Sequence, residues 1–422
     1  MMALSSDVKL VGATAERILQ TVHAALYASD PVDSMAIKES SGRSGAAGYL
    51  VSKAGTAVAM LKVTGGSILH THPATGKRIT AATEVLRKVN NAPAMLLSGP
   101  DFYAEAAAGT SVMKDFFHFK DDCTADEIAT LLARFHSTPT DWFAPLRDEY
   151  VERDAGLAPI LRAAPLHSPC WHLPWSGIDT GKVVMGMGNI SDKITRKVLQ
   201  LQIDSGVWQK VMTCEAFYPV SEAAKRLVVI HGDFKPDNVL RGADGNLIAI
   251  DYDLCQVGPA VHDFGYMLMM WYGARQTTHA YRSLFVSTYL SASGCESGSE
   301  AVRDFMLDCE INTLVTFPGL LANIYDKEVP LLRGQPHPTA KATAGSEDDS
   351  PTGLEIVDLL AAAVAQVRAD AALVDCCVKD GLVPTLFARE GLGSPLLFGW
   401  LRMMQANNML RLFGIAPAEY FV

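Results

Sequence analysis

Two β-prone runs near the N-terminus, residues 46–53 and 57–63, are separated by Ala54-Gly55-Thr56. Apolar strand-forming residues around a small-residue break predict a β-hairpin. The polar, glycine-rich stretch 39–45 ahead of it predicts a loop. Between residues 80 and 90 the period changes, and Ala82, Val85, Leu86 and Val89 fall at helical spacing. Residues 94–98 and 110–113 then predict further strands.

A helix follows. Thr124 and Glu127 have the spacing of a capping box, and Ile128, Leu131, Leu132 and Phe135 recur at i, i+3, i+4, i+7. Pro139 sets its end near Ser137. Residues 141–224 read as mostly helical with Trp/Pro/Gly interludes. Residues 227–230 predict a short buried strand. Residues 239–240 and 247–250 flank the turn Gly242-Ala243-Asp244-Gly245-Asn246. From Val261 onward the pattern is helical, apart from residues 334–350, whose Pro, Thr, Gly and acidic content predicts a flexible insertion. The pattern therefore predicts an α+β protein: a β-rich N-terminal part with one helix, then a larger helical part interrupted by a hairpin.

Composition narrows the function classes. The 422 residues are 49% hydrophobic and 19% charged, enough for a large core in one two-lobed domain or two domains. Lys plus Arg number 36 and Asp plus Glu 46, a net charge of −10 without basic runs. Such a chain is a poor partner for nucleic acid, and any phosphate it handles must meet a local site. The eight cysteines are scattered with no C-x-x-C pair, which predicts free thiols. The N-terminus lacks a basic start followed by an apolar core, so no signal peptide is expected. No apolar run reaches the about 20 residues of a membrane span: 264–274 is too short and Asp358 and Arg368 break 355–378. The expectation is a cytoplasmic enzyme.

Candidate chemistry gathers between residues 228 and 265. A polar loop, His231-Gly232-Asp233-Phe234-Lys235-Pro236-Asp237-Asn238, lies between two apolar strands. Thirteen residues after Asn238 comes Asp251, on the far side of a predicted hairpin that can bring it back beside Asn238. A carboxylate and an amide oxygen form a hard ligand pair suited to Mg²⁺. Asp233 is then left to accept or orient the proton of an attacking hydroxyl, a division of labour that suits phosphoryl transfer. Asp, Asn and Gly are also turn formers, and taken singly these residues could be punctuation.

The ordered set His231-Gly232-Asp233, Asn238, and Ile250-Asp251-Tyr252-Asp253 resembles the signature of the aminoglycoside phosphotransferases and choline/ethanolamine kinases. His262-Asp263-Phe264-Gly265-Tyr266 is similar to a structural segment of the choline kinase branch. The resemblance implies a two-lobed protein-kinase-like fold, with a nucleotide-binding lobe over residues 1–113 and a catalytic, mainly helical lobe over 114–422. It implies ATP and Mg²⁺ as cofactors, Asp233 as the catalytic residue, Asn238 and Asp251 as metal ligands, and structural roles for His231 and Asp263.

Further positions follow from the same resemblance. Lys62 shares a strand face with Val58 and Met60 and stands where the family places a phosphate-binding lysine; an edge-strand lysine is the plain alternative. Glu84 is its implied helix partner, or else a solvated glutamate. Gly42, Ser44 and Gly45 lie in a loop able to lay backbone N–H groups over phosphates. Met113, Lys114 and Asp115 fall at the implied adenine-holding hinge, and the Phe135-His136-Ser137 helix end resembles a structural element. Asp253 and the segment 305–311, with Asp308 and Glu310, are candidate substrate contacts for a cationic amino alcohol, with Trp271 and Phe317 as aromatic faces. Tyr272 is a further replacement for the tryptophan-rich stretch that the choline branch carries and this chain lacks. His70-Thr71-His72 has metal-ligand types without a third ligand, and neither Ser44 nor Ser293 forms G-x-S-x-G. The acceptor is expected to be an amino alcohol such as choline or ethanolamine, with an amino sugar or other sugar-like alcohol as the alternative. A non-catalytic nucleotide-binding relative is the rival class.

Overall fold

Ala54 and Gly55, at φ +48° and +81°, form the two-residue turn between the strands Ala47–Lys53 and Thr56–Val63. Both turn residues are left-handed, as a hairpin turn matching the strands' own twist requires. The computed structural model describes residues 2–4, 8–40, 47–65, 73–115, 118–153, 206–274, 278–316 and 353–388. It divides into two compact units: Met1–Val112 with Asp237–Asp253, and Met113–Pro236 with Leu254–Val422. By sequence order alone the 237–253 segment falls in the second lobe; its packing groups it with the first unit.

In the first unit a six-stranded sheet runs in the order Met2–Ala3, Met95–Ser98, Phe102–Ala106, Thr56–Val63, Ala47–Lys53, Met35–Ser40. All neighbours are antiparallel except the first pair, which is parallel. One face carries Val51, Ala59, Leu61, Val63, Leu97 and Ala104 into a core shared with Ile18 and Val22 of the helix Ala15–Leu26. That helix was not predicted. Thr14 caps it by accepting a hydrogen bond from the Arg17 N–H, and Ile18 and Val22, one turn apart, supply its buried stripe.

Strand alternation sends Lys62 to the opposite face, as expected. A second helix, Pro73–Lys88, starts two turns earlier than the sequence pattern predicts and buries Arg78, Ile79, Ala82 and Leu86. It stops before Asn90 at φ +57°, which leaves the predicted core residue Val89 exposed. A three-stranded antiparallel sheet completes the unit, with Val239–Arg241 between Leu247–Ala249 and Thr110–Ser111.

The second unit pairs Leu227–Ile230 antiparallel with Gln256–Pro259 and surrounds them with helices. The capping box is present: Thr124 Oγ1 accepts from the Glu127 N–H at 3.2 Å and Glu127 accepts from the Thr124 N–H at 3.0 Å. The helix it starts, Ala125–His136, packs on His279–Ala292, and Val261–Ala274 packs on Ser299–Thr316. Phe264 sits at the centre, edge-on to Phe285, Tyr289 and Phe305 at centroid distances of 5.7, 4.8 and 4.9 Å.

The helices Gly353–Ala369, Ala371–Asp380 and Leu382–Ala388 pack against this core. Arg368 Nη2 lies 2.9 Å from Asp308, the Leu382 N–H donates to Glu310 at 3.1 Å, and Arg282 Nη2 donates to the Lys379 carbonyl at 2.7 Å. Buried polar anchors of this kind fix the C-terminal helices to the unit. Residues 334–350 lie outside the described residues. No described helix is long and apolar enough to cross a membrane.

Candidate active site

In the first unit, antiparallel pairing of Val239 with Ala249 lets the Ile250 N–H donate to the Asn238 carbonyl at 2.9 Å. The hairpin thus returns the chain so that Asp251 follows directly on the residue paired with Asn238. Asp251 holds φ +66°, a strained conformation for a non-glycine residue of the sort that collects at functional sites. Its side chain is 43% exposed. Lys62, on the sheet, reaches both acids of this segment: Nζ lies 2.9 Å from Asp251 Oδ1 and 2.6 Å from Asp253 Oδ2. Burial disfavours the Lys62 charge, but Asp251 and then Asp253 outweigh it and hold its pKa well above the ordinary lysine value.

Two unpredicted residues complete this half. Arg78, fully buried on the helix Pro73–Lys88, donates from Nη2 to the Asp253 carbonyl at 2.8 Å. Tyr103 is the cross-strand partner of Lys62, and burial lifts its phenol above the ordinary range. Arg78 lies on the Ala82/Leu86 stripe at steps of four, a position visible in the sequence once the helix is started at Pro73.

In the second unit, Asp263 organises the loop that carries Asp233. Its carboxylate accepts from the His231 N–H at 2.7 Å, the Gly232 N–H at 2.8 Å and His136 Nε2 at 2.9 Å. Burial alone would raise the Asp263 pKa; the His136 hydrogen bond and nearby imidazoles prevail and lower it. His136 is lowered by burial against the opposing pull of Asp263. A carboxylate only accepts, so His136 carries its proton on Nε2, and its Nδ1 accepts from the Tyr289 hydroxyl 2.8 Å away. Gly232, at φ +79°, has no substitute: a Cβ there would lie 2.7 Å from the Leu254 carbonyl oxygen. Asp233 is half-buried, its Oδ2 2.9 Å from Lys235 Nζ, and its N–H faces His231 Nδ1 at 3.3 Å. Lys235 sits inside the motif itself, where its ammonium is two residues from the carboxylate it meets.

His262, next to this cluster, is pushed down to about 4 by burial from its ordinary value of 6.5. Between those values the unfolded chain binds a proton that the folded one refuses. Stability is therefore full above pH 6.5 and is lost as pH falls towards 4, at roughly 1.4 kcal/mol per pH unit from this group. Urea unfolding at pH 7 and pH 5 is expected to show the loss, and His262→Gln to reduce it. An unchanged pH dependence in His262→Gln contradicts the assignment.

Several predicted partners are placed elsewhere. Glu84 is exposed on the helix Pro73–Lys88, so the carboxylates beside Lys62 come from the 251–253 segment instead. Asp253 is buried against Lys62, not presented to a substrate. Asp308, 1% exposed, accepts from the Val220 N–H, the Ser221 N–H and hydroxyl, and Arg368. Glu310, 4% exposed, accepts the Leu382 N–H. Both acids serve the packing of the helical unit, which replaces the substrate-wall reading. Met113–Asp115 forms a strand paired with His118–Phe119, with Lys114 Nζ 3.0 Å from the exposed Asp121. Gly42, Ser44, Gly45, His70, His72 and Phe317 lie outside the described residues, as do the side chains of Trp271 and Tyr272.

Among the described residues no three His, Cys, Asp or Glu side chains gather as a metal cluster. Asn238 and Asp251 offer two oxygen donors on one hairpin. That number fits Mg²⁺, which takes one or two protein oxygens and completes its shell with water and phosphate.

Residues 120–303 match the model of the phosphotransferase enzyme family. The matched stretch contains Asp233, Asn238, Asp251 and Asp263, so the resemblance read from the motifs holds. Among solved structures, ethanolamine kinase from Plasmodium vivax is 12% identical, aligned over 87% of this chain and 92% of its own, with a TM-score of 0.50. Choline kinase from Cryptosporidium parvum Iowa II is 14% identical over 96% of this chain and 98% of its own, with a TM-score of 0.45. Macrolide 2'-phosphotransferase MphH from Brachybacterium faecium is 12% identical over 80% and 100%, with a TM-score of 0.41. No curated protein sequence matches the chain. At 12% identity the likeness to the Plasmodium vivax enzyme speaks for the fold alone, and that fold is the kinase-like, two-lobed α+β architecture expected from the motif.

Proposed function

We propose that this phosphotransferase moves the γ-phosphate of ATP, in the presence of Mg²⁺, to a hydroxyl group of a small polar molecule. The observation that carries the reading is the hairpin pairing that sets Asn238 and Asp251 on one edge, with Lys62 Nζ 2.9 Å from Asp251. Asn238 and Asp251 hold the cation, and Lys62 binds the nucleotide phosphates. Mg²⁺ supplies charge neutralisation on the transferring phosphate when bound. Asp233, braced by Lys235, takes the hydroxyl proton as the acceptor oxygen attacks. Met113, Lys114 and Asp115 contribute the adenine side of the site, and Gly42, Ser44 and Gly45 the loop over the phosphates. The setting is cytoplasmic.

The acceptor class proposed is an amino alcohol such as choline or ethanolamine. Its support is the Ile250-Asp251-Tyr252-Asp253 and His262-to-Tyr266 wording, since Asp308 and Glu310 are occupied within the protein. The His231-Gly232-Asp233 wording favours a second reading, an amino sugar or related alcohol.

Asp251→Asn tests the metal assignment. Mg·ATP affinity is expected to fall roughly tenfold or more, about 1.4 kcal/mol, while Mg-free ATP binds at least as well as before because a carboxylate near the phosphates is gone. Isothermal titration with and without Mg²⁺ reads both. Unchanged Mg·ATP affinity contradicts the role.

A further inference from the structure

Lys62 touches two carboxylates that differ in exposure, distance and backbone conformation. Asp251 is 43% exposed and strained, whereas Asp253 is 6% exposed and lies closer, at 2.6 Å. Only the first is open to solvent. The segment that carries both is pinned from behind by Arg78, fully buried, whose Nη2 donates to the Asp253 carbonyl at 2.8 Å. The same helix leaves Glu84 exposed. It therefore contributes a cation that fixes the acidic segment, and no anion that fixes the lysine.

A lysine with one carboxylate partner would have to choose between that partner and its function. If Asp251 were the sole anion near Lys62, any cation arriving at Asp251 would compete directly with a charge-assisted hydrogen bond. A second, buried carboxylate removes the competition, because Lys62 keeps a partner when Asp251 turns to the cation. Burial also suits Asp253 to the task, since a carboxylate closed off from solvent is not available to ligands itself.

We propose that Asp253 is a positioning residue that holds Lys62 so that Asp251 can be released to the cation, and that Arg78 fixes Asp253 for this purpose. The inference rests on the nucleotide and metal roles proposed above for Lys62 and Asp251. Loss of Asp253 then raises the demand for the cation, which general loosening of the structure would not produce.

The experiment is a Mg²⁺ titration of ATP binding, followed by displacement of a fluorescent ATP analogue from the full-length protein. In Asp253→Asn the ion pair left to Lys62 among the described residues is the one with Asp251, so the Mg²⁺ concentration giving half-maximal binding is expected to rise roughly tenfold. Asp253→Glu is expected to recover part of the shift. In Lys62→Met, which has no ammonium to compete, adding Asp253→Asn is expected to leave the Mg²⁺ midpoint where Lys62→Met alone puts it. Arg78→Lys, which keeps the charge but shortens the reach, is expected to shift the midpoint the same way by a smaller factor, and it serves if Asp253→Asn does not fold. A wild-type Mg²⁺ midpoint in folded Asp253→Asn and in Arg78→Lys overturns the proposal, as does an upward shift that appears with Glu84→Gln instead. If the wild-type protein itself shows no Mg²⁺-dependent ATP binding, the functional reading fails and this inference falls with it.

Discussion

Asp233→Ala is expected to lower kcat by roughly 10³-fold, a loss typical of removing a group that takes a proton in the transition state, while leaving Mg·ATP affinity within about threefold of wild type, far less than the tenfold that 1.4 kcal/mol of lost binding would give. The separation follows from where the groups lie in the chain. Lys62, Asn238 and Asp251, assigned to nucleotide and cation, belong to the first unit, whereas Asp233 belongs to the second. Asp233 is anchored by Lys235 Nζ at 2.9 Å and by a loop fixed through Asp263, so its truncation is expected to remove the proposed proton acceptor and leave the groups proposed for the nucleotide in place. Asp233→Asn preserves the shape and is expected to lose as much, because an amide cannot accept the proton. Parallel measurement of kcat and the Mg·ATP dissociation constant checks this. Undiminished turnover, or a loss confined to nucleotide affinity, contradicts the role.

Asp263→Ala carries the largest expected effect on stability. Three donors converge on this fully buried carboxylate: the His231 and Gly232 N–H groups and His136 Nε2. Truncation leaves all three without their acceptor in a dry environment. Breaking a buried charged network in this way costs about 3–5 kcal/mol, which lowers the thermal midpoint by roughly 3–6 °C in a chain of this length. Asp263→Asn retains the volume but offers one acceptor oxygen where the loop needs two, so it is expected to recover only part of the loss. Differential scanning fluorimetry of both variants reads the result. A midpoint within about 1 °C of wild type for Asp263→Ala would show that the three donors find other partners, since 1 kcal/mol shifts the midpoint of a chain this long by about that much.

Much of this was legible in the chain because its signals are local. Thr124 and Glu127 announce a helix three residues apart, and Ala54-Gly55 supplies the turn between two strands. Residues 242–246 fold the chain back so that Asn238 and Asp251 share a hairpin. The ordered motif from His231 to Asp253 carried the resemblance for the same reason. What local pattern could not supply was partnership across distance. Lys62 and Asp253 are 191 residues apart, and nothing near Glu84 distinguishes a solvated glutamate from a lysine's partner. Asp308 and Glu310 read as a substrate wall because their anchors, Arg368 and the Leu382 N–H, lie 60 and 72 residues further on. The helix carrying them is buried around its whole circumference from Phe305 to Thr316, so no amphipathic period marked which face met ligand and which met protein. The helix Ala15–Leu26 escaped notice because its buried stripe is short, with Ile18 and Val22 its only buried residues.

The central claim is acceptor-dependent transfer of a phosphoryl group from Mg·ATP. The most direct measurement is ADP release by the purified protein with ATP and Mg²⁺ across choline, ethanolamine, other amino alcohols, aminoglycosides and simple sugars, with Asp233→Ala run beside it. Turnover with one acceptor class, amino alcohols first, and its loss in Asp233→Ala is the predicted result. Measurable Mg·ATP binding with no acceptor-dependent ADP release from any class would contradict it, and would leave a nucleotide-binding protein in place of a kinase.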